Sequence, residues 1–195
     1  MITVENLLTM TSGVTFNESG IVSGNDWLGS FLNASVNGKP GTEFQYNSLN
    51  TYVLSAIVTK RTGETLTEYL TPRLFGPLGI TKYYWETCPK GITKGGWGLF
   101  LCAEDMAKLG QLYLQRGKWN GQQLVSEYWI EISTARHLKT QNDTYGYGYQ
   151  LWMEQRREAL NITECWDRML LFIRIWIWFL SQMPEIKKCF RTVSC

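Results

Sequence analysis

The stretch FQYNSLNTYVLSAIVTKRTG, from Phe44 to Gly63, decides the fold of this chain. Its apolar residues recur at the i, i+3, i+4, i+7, i+8 spacing of an amphipathic helix that faces a core. Positive charge on the last turn and Gly63, which can adopt the left-handed conformation of a helix C-cap, indicate where the helix ends. We therefore predict a core helix that starts at Tyr46-Asn47-Ser48 and ends at Gly63. The residues expected to face the core are Leu49, Tyr52, Val53, Ala56 and Ile57.

The start of this helix carries three polar side chains in succession, those of Tyr46, Asn47 and Ser48. Unpaired backbone N–H groups collect at a helix N-terminus, where such side chains can cap them. A phenol has an ordinary pKa of about 10, so it carries protons usefully only where a nearby cation or donor favours its ionised form. Two interpretations stay open. Tyr46 is a proton carrier, or Tyr46 is a core aromatic and Ser48 is a helix cap.

Composition narrows the class of protein. A length of 195 residues suits one domain or an incomplete larger one, and the formal net charge of +2 indicates neither nucleic acid nor an acidic membrane surface as partner. Five cysteines without a CxxC pattern predict neither a disulfide framework nor zinc, and we expect no metal or cofactor. The first residues lack a basic region followed by an apolar run, so no signal peptide is expected in this chain and localisation stays open.

Other segments also have helical signals with recognisable starts and stops. Thr65 and Glu68 have the spacing of a capping box, and Gly117 is placed to end the longest of these helices. A glycine-rich loop lies between them, but it lacks the Walker spacing and the Lys-Ser/Thr ending of a phosphate-binding loop. The predicted segments are Val4–Met10 after Thr3, a short helix around Asp26, Trp27 and Phe31, Tyr69–Leu74, 103–114 with a buried face of Ala103, Met106, Ala107, Gly110, Tyr113 and Leu114, and Ser126 to about Ala135.

Several phrases of the sequence resemble one family. They are LLTMTSG at 7–13, the Tyr46-Asn47-Ser48 triplet, PLG at 77–79, GGWGL at 95–99, EDMAKLGQLYLQRGKWNGQQLVS at 104–126 and YGYGY at 145–149. Together they resemble the class C β-lactamase-related and penicillin-binding serine hydrolases, in the 6-aminohexanoate-oligomer hydrolase branch. The resemblance runs from about Ile2 to Met153. It implies an α+β fold of the β-lactamase/transpeptidase type, of which this chain holds mostly the helical domain and little of the antiparallel sheet.

The resemblance also implies a chemistry. In this family a serine in Ser-x-x-Lys attacks a carbonyl, and a lysine and a tyrosine move its proton. The resemblance implies that Tyr46 and Ser48 are catalytic. It makes Asn47 a candidate for the substrate cleft, together with Trp97, whose loop borders the cleft in this family. No serine of the sequence is followed by lysine three residues later, so we expect the nucleophile helix before Ile2. Loss of a nucleophile costs on the order of 10⁶ in rate, which predicts that the chain as written is close to inert.

Arg61-Thr62-Gly63 has the outline of the family's Lys-Thr-Gly motif. That motif needs a strand, whereas these three residues close the predicted helix. We therefore interpret Arg61-Thr62-Gly63 as a helix end and not as a substrate-binding motif.

The tail from Glu154 to Cys195 has a different character. Met169–Leu180 is apolar apart from Arg174, but it is too short to span a bilayer. Either it is a membrane-surface anchor, or the tail was never selected to fold. Back-translating 158–186 and reading two nucleotides on gives an alternating Met-Asp-Met-Val-Phe-Val strand typical of the family. We favour a frameshift near Met153, with residues 1–153 a partial hydrolase domain and 154–195 an unrelated tail.

Three functional hypotheses remain at this point. The first is part of a serine hydrolase for amide or ester bonds in a small molecule or peptide: a β-lactam, a D-Ala peptide or a short amide oligomer. The second is a non-catalytic module that binds cell-wall peptide. The third is a peripheral membrane protein that uses Met169–Leu180. The specific substrate is not encoded in any motif present here.

Overall fold

The computed structural model describes residues 1–15, 24–140 and 145–154. The tail predictions, namely the frameshift and the membrane anchor at 169–180, lie outside the described residues. The helices are α1 Val4–Leu8, α2 Trp27–Leu32, α3 Ser48–Thr62, α4 Leu66–Leu70 with a π-helical continuation Thr71–Phe75, α5 Ala103–Leu114 and α6 Glu127–Thr134. The strands are β1 Tyr83–Trp85, β2 Leu99–Leu101, β3 Lys118–Trp119, β4 Gln122–Gln123, β5 Leu138–Lys139, β6 Tyr145–Tyr147 and β7 Trp152–Glu154.

Helix α3 is the centre of the core, as its sequence predicts. It ends at Gly63, whose φ of 75° is the left-handed conformation of a C-cap, so Arg61-Thr62-Gly63 does close a helix. The predicted single apolar stripe is too narrow, because Asn50, Thr51, Leu54, Ser55 and Val58 are buried as well. Helices α1, α2 and α4 all pack against α3 and together cover more than one of its faces.

Side-chain caps fix the shorter helices, as predicted. Thr3 and Asn6 form a capping box at α1. At α4 the Thr65 N–H donates to Glu68 Oε2 at 2.7 Å while the Glu68 N–H donates to Thr65 Oγ1 at 3.2 Å. The Asp26 carboxylate accepts from the Gly29 N–H at 3.0 Å and begins α2. Local sequence therefore sets these helix starts.

The predicted buried face of α5 is wrong by a rotation about the helix axis. Ala103 and Ala107 are exposed and Leu114 is 61% exposed. The observed buried side chains are those of Asp105, Leu109, Leu112 and Tyr113, beside Gly110. An acidic residue can lie on this face because the Asp105 carboxylate accepts from Cys102 Sγ at 3.0 Å and from Lys108 Nζ at 2.7 Å.

The strands are short and antiparallel. Strand β1 pairs with β2, with Trp85 opposite Leu99, and β3 pairs with β4 across an Asn120-Gly121 turn in which both residues have positive φ. Strand β6 lies between β5 and β7. The helix-rich described part with few short strands agrees with the predicted partial helical domain of the β-lactamase fold. Within these residue ranges no helix is both long and apolar enough to cross a bilayer.

Gln150 joins distant parts of the chain. Its backbone is left-handed, with φ of 60°, and its side chain is fully buried. The Gln150 amide nitrogen donates to the Leu7 and Leu8 carbonyl oxygens at 2.9 and 3.1 Å. The Thr51 hydroxyl donates to Gln150 Oε1 at 2.6 Å. The Gln150 side chain is therefore hydrogen-bonded to α1 and to α3 at the same time.

Candidate functional site

Tyr46 lies in an aromatic cluster formed by Phe44, Tyr46, Tyr147 and Trp152. Its half-buried ring stacks on the Trp152 indole, with centroids 5.8 Å apart and an interplanar angle of 27°. Trp152 also contacts the rings of Phe44 and Tyr147 edge-on, at 5.5 and 5.1 Å. The Tyr46 side chain is therefore positioned by aromatic neighbours and retains some contact with solvent, which differs from a fully buried core tyrosine.

Asn47 is the residue that caps α3. Its Oδ1 accepts from the Leu49 N–H at 2.9 Å, and its Nδ2 donates to the Val14 carbonyl oxygen at 3.4 Å. The alternative in which Ser48 is the cap is wrong, because Ser48 is the first residue of the helix itself. The Asn47 side chain is 5% exposed and fixes the chain direction directly after Tyr46. That Asn47 also contacts substrate stays a prediction.

The glycine-rich loop between β1 and β2 comes against the first turn of α3. A Cβ on Gly96 would stand 2.9 Å from the Ser48 carbonyl oxygen and 3.3 Å from Thr51 Cβ, so the close approach requires glycine. Backbone bonds hold this loop, since the Glu86 N–H donates to the Gly98 carbonyl oxygen at 2.9 Å. The structure therefore brings the loop that carries Trp97 to the predicted catalytic segment 46–48.

Trp97 is half-buried and held in place by its neighbours. Its ring stacks on that of Trp27 with centroids 5.7 Å apart and an interplanar angle of 17°. Trp85 Nε1 donates to the Trp97 carbonyl oxygen at 3.1 Å. Lys94 Nζ lies 5.8 Å from the Trp97 ring centroid and forms a 2.6 Å salt bridge with Glu86 Oε2. This arrangement offers a preformed aromatic surface beside a cation that is already paired.

Two buried phenols near this region stay protonated over a wide pH range. Burial raises the pKa of Tyr147 well above its ordinary value, and the negative charge that Tyr46 would carry raises it further. Burial also raises the pKa of Tyr52, as does the hydrogen bond that its hydroxyl donates to Cys88 Sγ at 3.4 Å. Over the described ranges no group of three or more His, Cys, Asp or Glu side chains could hold a metal ion.

Sequence reasoning missed three members of the aromatic cluster, namely Phe44, Tyr147 and Trp152. The alternation of Tyr145-Gly146-Tyr147 predicted a strand, and a strand is observed at Tyr145–Tyr147. Nothing in that alternation shows that Tyr147 contacts Trp152, the indole on which Tyr46 stacks. The contact depends on the register in which Tyr147 lies opposite Trp152, and register is a tertiary property.

Comparison with known proteins gives a family and a fold. The family model described as beta-lactamase matches residues 1–168. The 6-aminohexanoate-dimer hydrolase of Paenarthrobacter ureafaciens is 34% identical over 103 residues, covering 52% of this chain and 26% of the relative. Protein flp of Staphylococcus aureus (strain NCTC 8325 / PS 47) is 32% identical over 87 residues, covering 41% of this chain and 18% of the relative.

Solved structures share the fold. A penicillin-binding protein from Bacillus halodurans superimposes with a TM-score of 0.64 at 24% identity, covering 81% of this chain and 58% of that chain. A Bacillus anthracis protein assigned as a 6-aminohexanoate-dimer hydrolase has a TM-score of 0.69 at 23% identity, covering 80% of this chain and 48% of that chain. The chain thus spans about a quarter of the first curated relative and about half of these solved chains.

Proposed function

The chain belongs to the beta-lactamase family and is related to hydrolases of this superfamily. From this premise we propose that it carries the tyrosine-bearing part of a serine hydrolase that cleaves amide or ester bonds through an acyl-enzyme. One observation carries the proposal. Tyr46 precedes the capped N-terminus of α3, its ring is fixed on Trp152, and the Trp97 loop lies against the same helix turn.

The proposed roles follow from the chemistry of acyl transfer. A serine hydroxyl is a weak nucleophile until a base removes its proton, and Tyr46 serves in that proton transfer. Donors must also stabilise the oxyanion that develops on the attacked carbonyl. Ser48 follows Tyr46 by two residues and belongs to the same polar segment, whereas Asn47 holds the segment in place through its bonds to 14 and 49. Trp97 offers a surface for the apolar part of the substrate.

The substrate class in this proposal is a small amide or ester. The relatives include a 6-aminohexanoate-dimer hydrolase and a penicillin-binding protein, so a short amide oligomer, a D-Ala peptide and a β-lactam are the candidates. Each presents a carbonyl to a serine and an apolar segment that a tryptophan face can cover. Hydrolysis rates of the three substrates, measured with a longer version of the protein that includes a Ser-x-x-Lys segment, would rank the candidates. If none of the three is turned over, the proposal is contradicted.

We also propose that the 195 residues alone do not form an acyl-enzyme, because they contain no Ser-x-x-Lys. Incubation with a fluorescent penicillin and with a fluorophosphonate probe is expected to give no labelled band, while a penicillin-binding protein labels in parallel. A labelled serine identified by mass spectrometry, and lost in Ser48→Ala or another single serine variant, would contradict this.

Sequencing the DNA on both sides of the reading frame tests the parent hydrolase directly. A Ser-x-x-Lys segment in frame before Ile2 would support it, whereas an unrelated upstream sequence would contradict it. The same DNA tests the shifted frame near Met153.

A non-catalytic cell-wall-peptide module is the second candidate. The observation in its favour is the stacked Trp27–Trp97 pair, whose geometry does not depend on a nucleophilic serine. Titration calorimetry with a muropeptide separates the two, with Trp97→Ala as the matched variant. The binding module is favoured if wild type binds the muropeptide, Trp97→Ala does not, and a longer version of the protein with a Ser-x-x-Lys segment shows no turnover. For the peripheral-membrane alternative, flotation with liposomes and with a chain truncated after Met153 is the test.

A further inference from the structure

The loop between β1 and β2 is closed at its base by an ion pair between Glu86 and Lys94. The Lys94 ammonium nitrogen lies 2.6 Å from Glu86 Oε2, and the two side chains are 36% and 18% exposed, respectively for Glu86 and Lys94. Backbone bonds reinforce the pair, because the Lys94 N–H donates to the Glu86 carbonyl oxygen at 3.0 Å and the Glu86 N–H donates to the Gly98 carbonyl oxygen at 2.9 Å. Glu86 therefore joins the start of the loop to its middle and to its end.

Gly98 lets the Glu86 carboxylate lie next to Trp97. A Cβ on Gly98 would stand 2.5 Å from Glu86 Oε2 and 3.0 Å from Glu86 Cβ. The carboxylate thus lies directly against the backbone of the residue that follows Trp97. Gly98 also has a φ of 77°, a conformation that favours glycine. Because this position has no side chain, the Glu86 side chain occupies the space beside the Trp97 backbone.

The Lys94 ammonium lies near both rings of the Trp27–Trp97 stack. Its nitrogen is 5.7 Å from the Trp27 centroid and 5.8 Å from the Trp97 centroid, distances at which an indole attracts a cation. Stacking alone leaves the offset of two rings loosely defined, since aromatic pairs occur over centroid separations of about 4.5–7 Å. A cation that Glu86 holds at nearly equal distances from both rings restricts that offset.

Stability alone does not account for this pair. Partial burial takes both charges away from water, and neutral residues of similar size in place of such a pair are often as stable. The same loop carries a second pair of nearly equal length, in which Lys90 Nζ lies 2.7 Å from Asp26 Oδ2, with both side chains 53% exposed. Such exposed pairs contribute little. The Glu86–Lys94 pair differs in its lower exposure and in its place beside two indoles.

We propose that Lys94 and Glu86 are positioning residues for Trp97. Their ion pair sets how the Trp97 indole is offset on Trp27, and thereby the face that this indole presents to the apolar part of the substrate. The inference rests on the proposed function, in which Trp97 covers that part of the substrate. It adds two charged residues that act through Trp97 on how the substrate is held.

The test measures the accessibility of the Trp97 ring in the full chain labelled with 5-fluorotryptophan, by ¹⁹F NMR with a neutral gadolinium chelate as relaxation agent. Trp97→Phe assigns the Trp97 resonance. Lys94→Met keeps the length of the side chain and removes its charge. Paramagnetic relaxation of Trp97 is then expected to rise about twofold, because a half-buried ring that leaves its neighbours exposes more of its large surface.

Three comparisons separate positioning from a general loss of structure. Lys94→Arg retains a cation for Glu86 and should keep the wild-type relaxation of Trp97. Lys90→Met is the matched control, since it removes a lysine ion pair from the same loop, and it should leave Trp97 unchanged. Trp129, buried on α6 and assigned with Trp129→Phe, is the internal reference, and its relaxation should not rise in Lys94→Met.

Glu86→Gln examines the pair from its other member and decides the question even if Lys94→Met fails to fold. Glutamine keeps the size of the side chain and loses its charge, so Trp97 relaxation should rise as in Lys94→Met. The double variant should rise no further, because two residues that act through one interaction are not additive.

Unchanged Trp97 relaxation in Glu86→Gln or in a folded Lys94→Met would overturn the proposal. So would an equal rise in Lys90→Met or at Trp129. None of these measurements uses a substrate or turnover, so they report on the ion pair separately from the hydrolysis assays that test the proposed function.

Discussion

Replacing Thr51 by valine tests how the buried amide of Gln150 holds the domain together. The change keeps the shape and the β-branch of the side chain and removes the hydroxyl that donates to Gln150 Oε1 at 2.6 Å. Thr51 is 1% exposed and Gln150 is 0% exposed, so water does not replace the lost donor. A buried acceptor left without its partner costs about 1–3 kcal/mol. We expect the free energy of unfolding to fall by that amount.

Thr59→Val is the matched control, because the same atoms change two turns further along α3. The Thr59 hydroxyl is buried and has no hydrogen-bond partner among the described residues, so its removal should be neutral or slightly stabilising. Urea unfolding monitored by tryptophan fluorescence measures both variants. A loss of ~2 kcal/mol also lowers the melting temperature by about 4–8 °C in a domain of this size. If Thr51→Val and Thr59→Val unfold at the same urea concentration, the reasoning about Gln150 fails.

Two further predictions concern the helix ends. Gly63→Ala should lower the free energy of unfolding by about 1 kcal/mol, since φ is 75° there while no atom within 4 Å opposes the new methyl group. Gly91→Ala is measured in the same urea assay as a second positive-φ glycine with open space around it, in a loop and not at a helix end. A Gly63→Ala chain as stable as wild type contradicts the C-cap argument. Asp105→Asn should speed alkylation of the exposed Cys102 at pH 8, because the hydrogen bond to Asp105 is the main cause that raises the pKa of this thiol. Peptide-resolved mass spectrometry measures the rate, with Glu131→Gln on α6, which is not among the causes of the Cys102 shift, as control, and an unchanged Cys102 rate in Asp105→Asn refutes that cause.

The helices could be predicted from the sequence because their signals are local. The capping box at Thr65 and the left-handed glycine at Gly63 both depend on residues within one turn, and both are observed. The orientation of α5 could not be predicted in this way. Its buried stripe includes Asp105, and only the folded contacts with Cys102 and Lys108 show how a carboxylate is satisfied there. Apolar periodicity alone selected the neighbouring stripe.

The strands and the site depend on contacts between distant residues. Three-residue strands such as Tyr83–Trp85 and Leu99–Leu101 are too short to show an alternating pattern, so their pairing escapes sequence reasoning. For the site, the motif singled out Tyr46, whose catalytic role stays a prediction. Its stacking on Trp152 joins residues more than one hundred positions apart, and no local rule encodes that contact.

The attachment of residue 150 to the first helix has a consequence for synthesis on the ribosome. The Leu7 and Leu8 carbonyl oxygens accept from the Gln150 amide nitrogen, which lies 143 and 142 residues later in the chain. At about 5–20 residues per second, that donor follows roughly 7 to 28 s after them. Helix α1 therefore leaves the exit tunnel long before Gln150 is synthesised. During that interval helix α1 has the packing against α3 but lacks the hydrogen bonds that residue 150 supplies, so this part of the nascent chain is held less firmly than in the folded domain.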